Sequence, residues 1–526
     1  MSDGPVHVAS PDWRDQIVYF LLTDRFAEGD PAISDQGHGE YDPHDSRCFS
    51  GGDLQGVIDH LDYIQALGAT SVWITPPVAG QWWNPRVAYG GYHGYWARHF
   101  AEIDEHVGDL ATYQALARAL HGRGMYLIQD IVCNHTGDFF SYDGPYRHGD
   151  PCHNFVVNTD SVPTTRPTQA PFDRNDVRDP EQRAEAIYHW TPSIEHPQDP
   201  TQRLEYSLYD LDDLNTSNPA VRDALKRSYA HWIREVGVDA YRIDTAYHVE
   251  PAFWRDFVHA DDGMHAVASE TGRDDFFCFG EILLGSDAYD DSAERVARHY
   301  LGPDHAPILD AIISFPWYFT VRRVIAEGKP TDELAHRIQT QMRLHRDPLR
   351  VPIFIDNHDV DRFKAVGGGR GLSQALVLLL TAPGIPVIYY GTEQGFEDRR
   401  PSMFAAGWGS GGRDAHDREA PQFGLIAQLA ERRLAHAVFR RGDAEAIASN
   451  AYQPGLFALR RRHGDSEALI IINTANAAIT DRLRLGSREP GYRQLVALDA
   501  ATDWDVADDE LALSLPAQGA LVLLAD

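Results

Sequence analysis

Four apolar runs in this chain end in residues that can carry proton transfer or nucleophilic attack. In Gly237-Val-Asp-Ala-Tyr-Arg-Ile-Asp-Thr-Ala-Tyr-His248, Arg242 lies two residues before Asp244, so on a strand both point the same way. A guanidinium beside a carboxylate favours the ionised form, with a depressed pKa. An ionised aspartate at a strand end suits attack on an electrophilic carbon. From this stretch alone a structural ion pair explains the pattern equally well. Three further runs favour the chemical reading. Tyr126-Leu-Ile-Gln-Asp-Ile-Val-Cys-Asn-His135 finishes in Asp130, Asn134 and His135, Phe276-Phe-Cys-Phe-Gly-Glu281 in Glu281, and Pro352-Ile-Phe-Ile-Asp-Asn-His-Asp359 in Asn357, His358 and Asp359.

Such residues need a frame that gathers strand ends. Gln16–Leu22, Ser71–Thr75, Asp310–Phe315 and Pro386–Gly391 are further apolar, strand-like runs. Leu54–Leu67 and Leu110–Leu120 show helical spacing of apolar residues. Strands separated by helix-length spacers imply a parallel sheet. Polar residues at strand ends place the site on the C-terminal rim of an α/β fold, a (β/α)8 TIM barrel. Residues 136–215 are rich in Asp, Pro, His and Asn and hold no convincing barrel element; an irregular stretch of that length is usually functional. After a helix ending near Ala435 the pattern changes to short alternating strands, an antiparallel β unit. The expected division is therefore 1–135 and 216–435 for the barrel, 136–215 for an insertion after strand three, and 436–526 for the β unit. Gly367-Gly-Gly-Arg-Gly371 lacks the Gly-Lys-Ser/Thr ending of a phosphate cradle and reads as a mobile loop.

Taken together, the four polar-ended runs resemble, in order, the four signature regions of the α-amylase family, glycoside hydrolase family 13. Gly51-Gly-Asp-Leu-Gln-Gly56 and Tyr92-His-Gly-Tyr-Trp96 resemble segments of cyclodextrin glucanotransferases and related α-amylases. The resemblance implies that 136–215 is domain B, walling one side of the cleft, and that 436–526 is the β-sandwich domain C. It implies Asp244 as nucleophile, Glu281 as proton donor and then base, and Asp359 as a third carboxylate gripping sugar hydroxyls. Retention requires the first two to lie about 5–5.5 Å apart. It also implies that His93, His135 and His358 bond the sugar, that Tyr95 stacks on it, and that Arg242 keeps Asp244 anionic. Arg400, in Arg400-Pro-Ser-Met403, lines the donor side. Tyr209 falls where ring-forming members place a central aromatic; it either stacks on a curved glucan or is a core tyrosine of domain B.

The same resemblance implies a structural Ca2+ held by Asn134, Asp213 and the backbone carbonyl of His248, oxygen donors of the kind calcium takes. Glu28, Asp30, Gly51 and Asp53 resemble a second calcium loop. Ile33 occupies one expected ligand position there, and a solvated acidic loop fits as well. No organic cofactor is expected. The expected activity is retaining hydrolysis of α-1,4-glucosidic bonds in maltooligosaccharides, cyclodextrins or starch-type glucans. The main alternative is a 4-α-glucanotransferase of the cyclodextrin glucanotransferase type. Ile282-Leu283 stands where glucanotransferases carry an acceptor-binding aromatic pair, and Tyr247 where a Lys usually precedes the histidine. Both departures favour hydrolysis. A non-catalytic barrel relative with a binding role is opposed by the intact carboxylates. No motif decides chain length, the ratio of hydrolysis to transfer, or oligomeric state.

Composition narrows the partners. A formal charge of -31 over 526 residues opposes binding to nucleic acid or anionic membrane. Cys48, Cys133, Cys152 and Cys278 form neither a dense disulfide framework nor a zinc-like pairing. The N-terminus, Met-Ser-Asp-Gly-Pro-Val-His-Val, has no basic segment followed by an apolar run. No apolar stretch is long enough to span a bilayer. A cytoplasmic protein is expected.

Overall fold

The computed structural model describes residues 4–486 and 491–525. Eight parallel strands form its central sheet: β1 Val18–Leu21, β2 Ser71–Ile74, β3 Tyr126–Ile131, β4 Ala240–Ile243, β5 Phe277–Glu281, β6 Ala311–Ile313, β7 Pro352–Phe354 and β8 Ile385–Tyr389. The hydrogen-bonded order is β6-β5-β4-β3-β2-β1-β8-β7. The Ser314 amide donates to the Pro352 carbonyl at 2.9 Å, which closes the ring between β6 and β7. Helices cover the outer faces, so β1, β2, β4 and β5 are buried throughout. Strands buried on both faces are written as unbroken apolar runs.

Register decides what meets at the rim. Asp130 pairs with Arg242, Arg242 with Phe279, and Ile243 with Gly280. Asp244 and Glu281 each follow the last of these pairs by one residue and therefore sit level. Thr245 then turns the chain with φ at 46°, the left-handed region that a β-branched residue adopts only under tertiary constraint.

Several expectations need correction. Strand six is shorter than Asp310–Phe315, because Ser314 caps a helix over Phe315–Val321 by accepting from the Trp317 amide. Leu54–Leu67 is two helices, Leu54–Asp59 and Leu61–Ala66, broken at His60. Gly367–Gly371 is not a mobile loop. It lies within the helical stretch Phe363–Thr381, which kinks at Gly368, where φ is 65°. Glycine admits that value without a Cβ clash.

Between β3 and helix Pro219–Glu235 the chain forms a hairpin, Phe140–Tyr142 with Phe155–Val157, and helices Pro180–Glu185 and Pro200–Glu205. Downstream of helix Pro421–Ala435 come a five-stranded and a three-stranded antiparallel sheet. Leu456, Leu469, Leu483, Leu511 and Leu521 share a core cluster contributed by both sheets. Gln374 ties this unit to the barrel by donating to the Asn473 and Gly519 carbonyls at 2.8 and 2.9 Å. Among the described residues no helix is long and apolar enough to cross a membrane. All four cysteines are free, and Cys133 and Cys278 are buried in β3's extension and β5.

Candidate active site

The carboxylates gather around one guanidinium. Arg242 Nη1 lies 2.8 Å from Asp130 Oδ1 and 3.0 Å from Asp244 Oδ1, and Nη2 lies 2.9 Å from Glu281 Oε2. The Thr245 amide also donates to Glu281 Oε2, at 3.1 Å, so the strained turn aims the glutamate. Asp244 and Glu281 are 8% and 5% exposed, at the floor of a cleft of about 690 Å3. Asp359 accepts from Arg400 Nη2 at 3.3 Å and lies 3.1 Å from His358 Nε2, and Arg400 Nε also donates to the His358 carbonyl at 3.1 Å.

The expectation that Arg242 depresses the Asp244 pKa does not hold. Burial pushes the Asp244 carboxyl well above the usual range; Arg242 opposes this, while Glu281, Asp130 and Asp359 add to it. Burial is the chief cause, and the one positive charge that opposes it is divided among three carboxylates. Asp130 itself is pushed up to about 6 by burial, against Arg242 and hydrogen bonds from Trp73 and Tyr95. A site with this charge balance resists holding every carboxyl ionised.

Three imidazoles face the cleft without adding charge. His93 Nδ1 accepts the Tyr95 amide at 3.1 Å, so its proton is on Nε2. His135 has Nδ1 3.2 Å from the Asn134 side-chain nitrogen, and its Nε2 is buried without a partner. Burial holds His135 down at about 3 and His93 and His358 well below the ordinary histidine value. The Nε2–H groups of His93 and His135 can donate to substrate oxygens without a proton being lost or gained. Tyr95 is flanked by His93 and His358, the latter ring parallel to within 6°, and its hydroxyl donates to Asp130 at 3.0 Å. Tyr209 is 86% exposed beside the cleft, which removes the core reading.

Sequence reasoning missed part of the site. Asp130, named above among the polar residues ending its run, anchors Arg242, a role that its place in an apolar strand signals only as a charge in need of a partner. Ile194, Leu208 and Leu211 come from residues 136–215 and line the cleft with Leu283, which is half exposed. These apolar positions carry no spacing signal.

Of the expected metal ligands, Asn134 and Asp213 are brought together. His135 bridges to Asp213 and the Leu214 amide donates to the Asn134 carbonyl at 2.9 Å. Asp213 is 2% exposed, and burial pushes it up to about 7. Its ion-pair partner among the described residues is His189, at 2.6 Å. A buried carboxylate on one strand, with an asparagine on the chain paired to it, is donor chemistry that fits an oxygen-seeking cation. His248 ends a 3-10 turn that lines the cleft, with Nδ1 3.1 Å from the Arg203 carbonyl. In the second set, Glu28 and Gly51 are neighbours: a Cβ on Gly51 would meet Glu28 Oε1 at 2.9 Å. Asp53 is instead engaged by the Gly29, Asp30 and Gly56 amides, and Asp30 by the Ala32 amide.

A parallel eight-stranded barrel with paired carboxylates on its C-terminal rim defines a glycosidase-type hydrolase. Residues 20–435 match the α-amylase catalytic domain, so the chain belongs to the α-amylase family. It is 31% identical over 484 residues to the β/α-amylase of Paenibacillus polymyxa, covering 88% of this chain but only 34% of that protein. It is 28% identical to the cyclomaltodextrin glucanotransferase of Klebsiella oxytoca, over 97% of this chain and 78% of that one. A solved Anoxybacillus α-amylase superposes with a TM-score of 0.75 at 27% identity, covering 98% of each chain.

Proposed function

We propose that the chain hydrolyses α-1,4-glucosidic bonds by double displacement, on maltooligosaccharides, cyclodextrins or related glucans. The observation that carries this is the single guanidinium of Arg242 in contact with both Asp244 and Glu281. Two carboxyls gripped by one planar group lie close enough for one to attack the anomeric carbon while the other protonates the leaving oxygen. Asp244 is the nucleophile, and displacing the leaving group forms a glycosyl ester. Glu281 gives its proton to the departing oxygen, then takes one from the water that cleaves the ester. Burial beside Glu281 means the floor holds one charge more readily than two, and the reaction requires that charge on Asp244 and the proton on Glu281. Arg242 and Thr245 hold the pair, and Asp359, fixed by Arg400, meets the sugar hydroxyls with His93, His135 and His358.

Calcium is part of the proposal. Asn134 and Asp213 would hold it where the 136–215 segment returns to the barrel, with the His248 carbonyl; when bound it supplies a structural tie. Transfer to a second sugar is the competing reading. Leu283, two residues after Glu281 and lining the cleft, has no aromatic face for an acceptor sugar to stack on, which favours water. Incubation with maltoheptaose and with β-cyclodextrin, following products over time, tests both. Short linear products of retained configuration are expected. Accumulation of chains longer than the substrate would assign transfer instead, and no turnover of either would overturn the reading.

A further inference from the structure

The helix break at His60 faces the segment that follows Met403, outside the cleft. One ligand atom of each of His60, Asp414 and His416 lies within 4.8 Å of the other two. His60 Nδ1 is 2.9 Å from the Gly56 carbonyl. A carbonyl only accepts, so that nitrogen carries the proton and the lone pair is on Nε2. His416 Nδ1 is 2.7 Å from Asp414 Oδ1, which leaves its lone pair on Nε2 as well. The His416 side chain is 7% exposed, and Nε2 is buried with no hydrogen-bond partner. A buried acceptor left unmatched is costly, and nothing in the α-glucan chemistry uses it.

We propose that His60 and His416, with Asp414, bind a divalent transition metal, zinc foremost, that ties the 404–417 segment to the barrel. On both rings Nδ1 is already engaged, which leaves Nε2 as the ligand atom. Metal-bound histidines donate their other N–H to a carbonyl or carboxylate, and here Gly56 and Asp414 play those parts. Imidazole donors select zinc, copper or nickel over calcium and magnesium. The two ring centroids are 4.0 Å apart, with Phe26 edge-on to both, so the nitrogens sit against an apolar wall. Asp414 is largely exposed, leaving one side open for a metal to enter. The tie has a structural target. The Ala415 amide donates to the Met403 carbonyl at 2.7 Å, and the Met403 amide donates to the Arg25 carbonyl at 2.8 Å. A metal at His416 would brace the chain that leads away from Arg400.

The test uses the whole chain, stripped of metal and then offered Zn2+. Gel filtration with elemental analysis should find zinc retained, and the melting temperature should rise with zinc but not through these residues with calcium. His60→Gln and His416→Gln should each lose retention and the thermal response. Asp414→Asn should weaken binding about tenfold to a hundredfold, as expected for a group that orients a ligand. Equal zinc retention by wild type and both glutamine variants, or none by wild type, would show a packed ring pair only and overturn the proposal. Should a variant fail to fold, Co2+ offered to wild type decides. Visible absorption bands of low-coordinate cobalt, abolished by added Zn2+, support the site, and their absence sinks it.

Discussion

Asp244 and Tyr209 are opposites in burial, and their substitutions should fail in opposite ways. Asp244→Asn keeps the size of the side chain and its place beside Arg242 but cannot form the ester. Turnover should fall by several orders of magnitude with the fold retained; activity within about tenfold of wild type would remove the nucleophile assignment. Tyr209 has φ at 52° and projects from the cleft edge. We expect it to stack on a curved glucan, so Tyr209→Ala should remove about 1 kcal/mol of binding. Catalytic efficiency on β-cyclodextrin should drop several-fold while maltotriose is spared. Because the side chain is 86% exposed, the melting temperature should hardly move. Equal losses on both substrates would end the stacking role.

Loops are fixed behind the rim by buried charge. His106 bonds Asp104 through Nδ1 at 2.8 Å and Glu40 through Nε2 at 3.2 Å, with its ring stacked on Phe49. Burial alone would lower its pKa, but the two carboxylates win and raise it to about 9. A histidine raised above its unfolded value stabilises fully below about pH 6.5, and the gain is lost as pH rises through the folded value. The stability gap between wild type and His106→Gln should therefore be widest in mild acid, on the order of 3 kcal/mol. It should narrow steadily toward pH 9, and a gap independent of pH would show that the pair carries no charge. Denaturant melts at several pH values measure this.

Three units are held together by polar contacts at their seams. Arg461 is fully buried and donates to the Thr381, Gly442 and Asp443 carbonyls at 2.6, 2.9 and 2.7 Å, joining a barrel helix to the C-terminal sheet. On the other side, Asn134 and Asp213 join the 136–215 segment to β3. A ligand bound only by the folded form stabilises it by mass action. Removing calcium with a selective chelator should lower the melting temperature, and calcium rather than zinc should restore it. An unchanged melting temperature, with no calcium found by elemental analysis, would eliminate this site while leaving the catalytic assignments standing.

Much of this molecule is legible without coordinates. Parallel strands buried on both faces must be apolar along their length, so Tyr126–Val132 and Phe276–Gly280 announce themselves, and a charge that interrupts or ends them marks the rim. The order of strands and helices then leaves little choice but a closed barrel. Tertiary structure decided what lies between those marks. That Arg242 serves Asp130, Asp244 and Glu281 at once depends on the register of three strands, and burial, only partly opposed by that shared charge, reverses the pKa expected from the Arg242–Asp244 spacing. Tyr209 could be read as core or platform until its exposure was known. Leu208 and Leu283 line one cleft, and His60 meets His416, from distant parts of the chain. Periodicity records which face of an element is buried, but the choice of neighbour is made by packing and leaves no mark in local spacing.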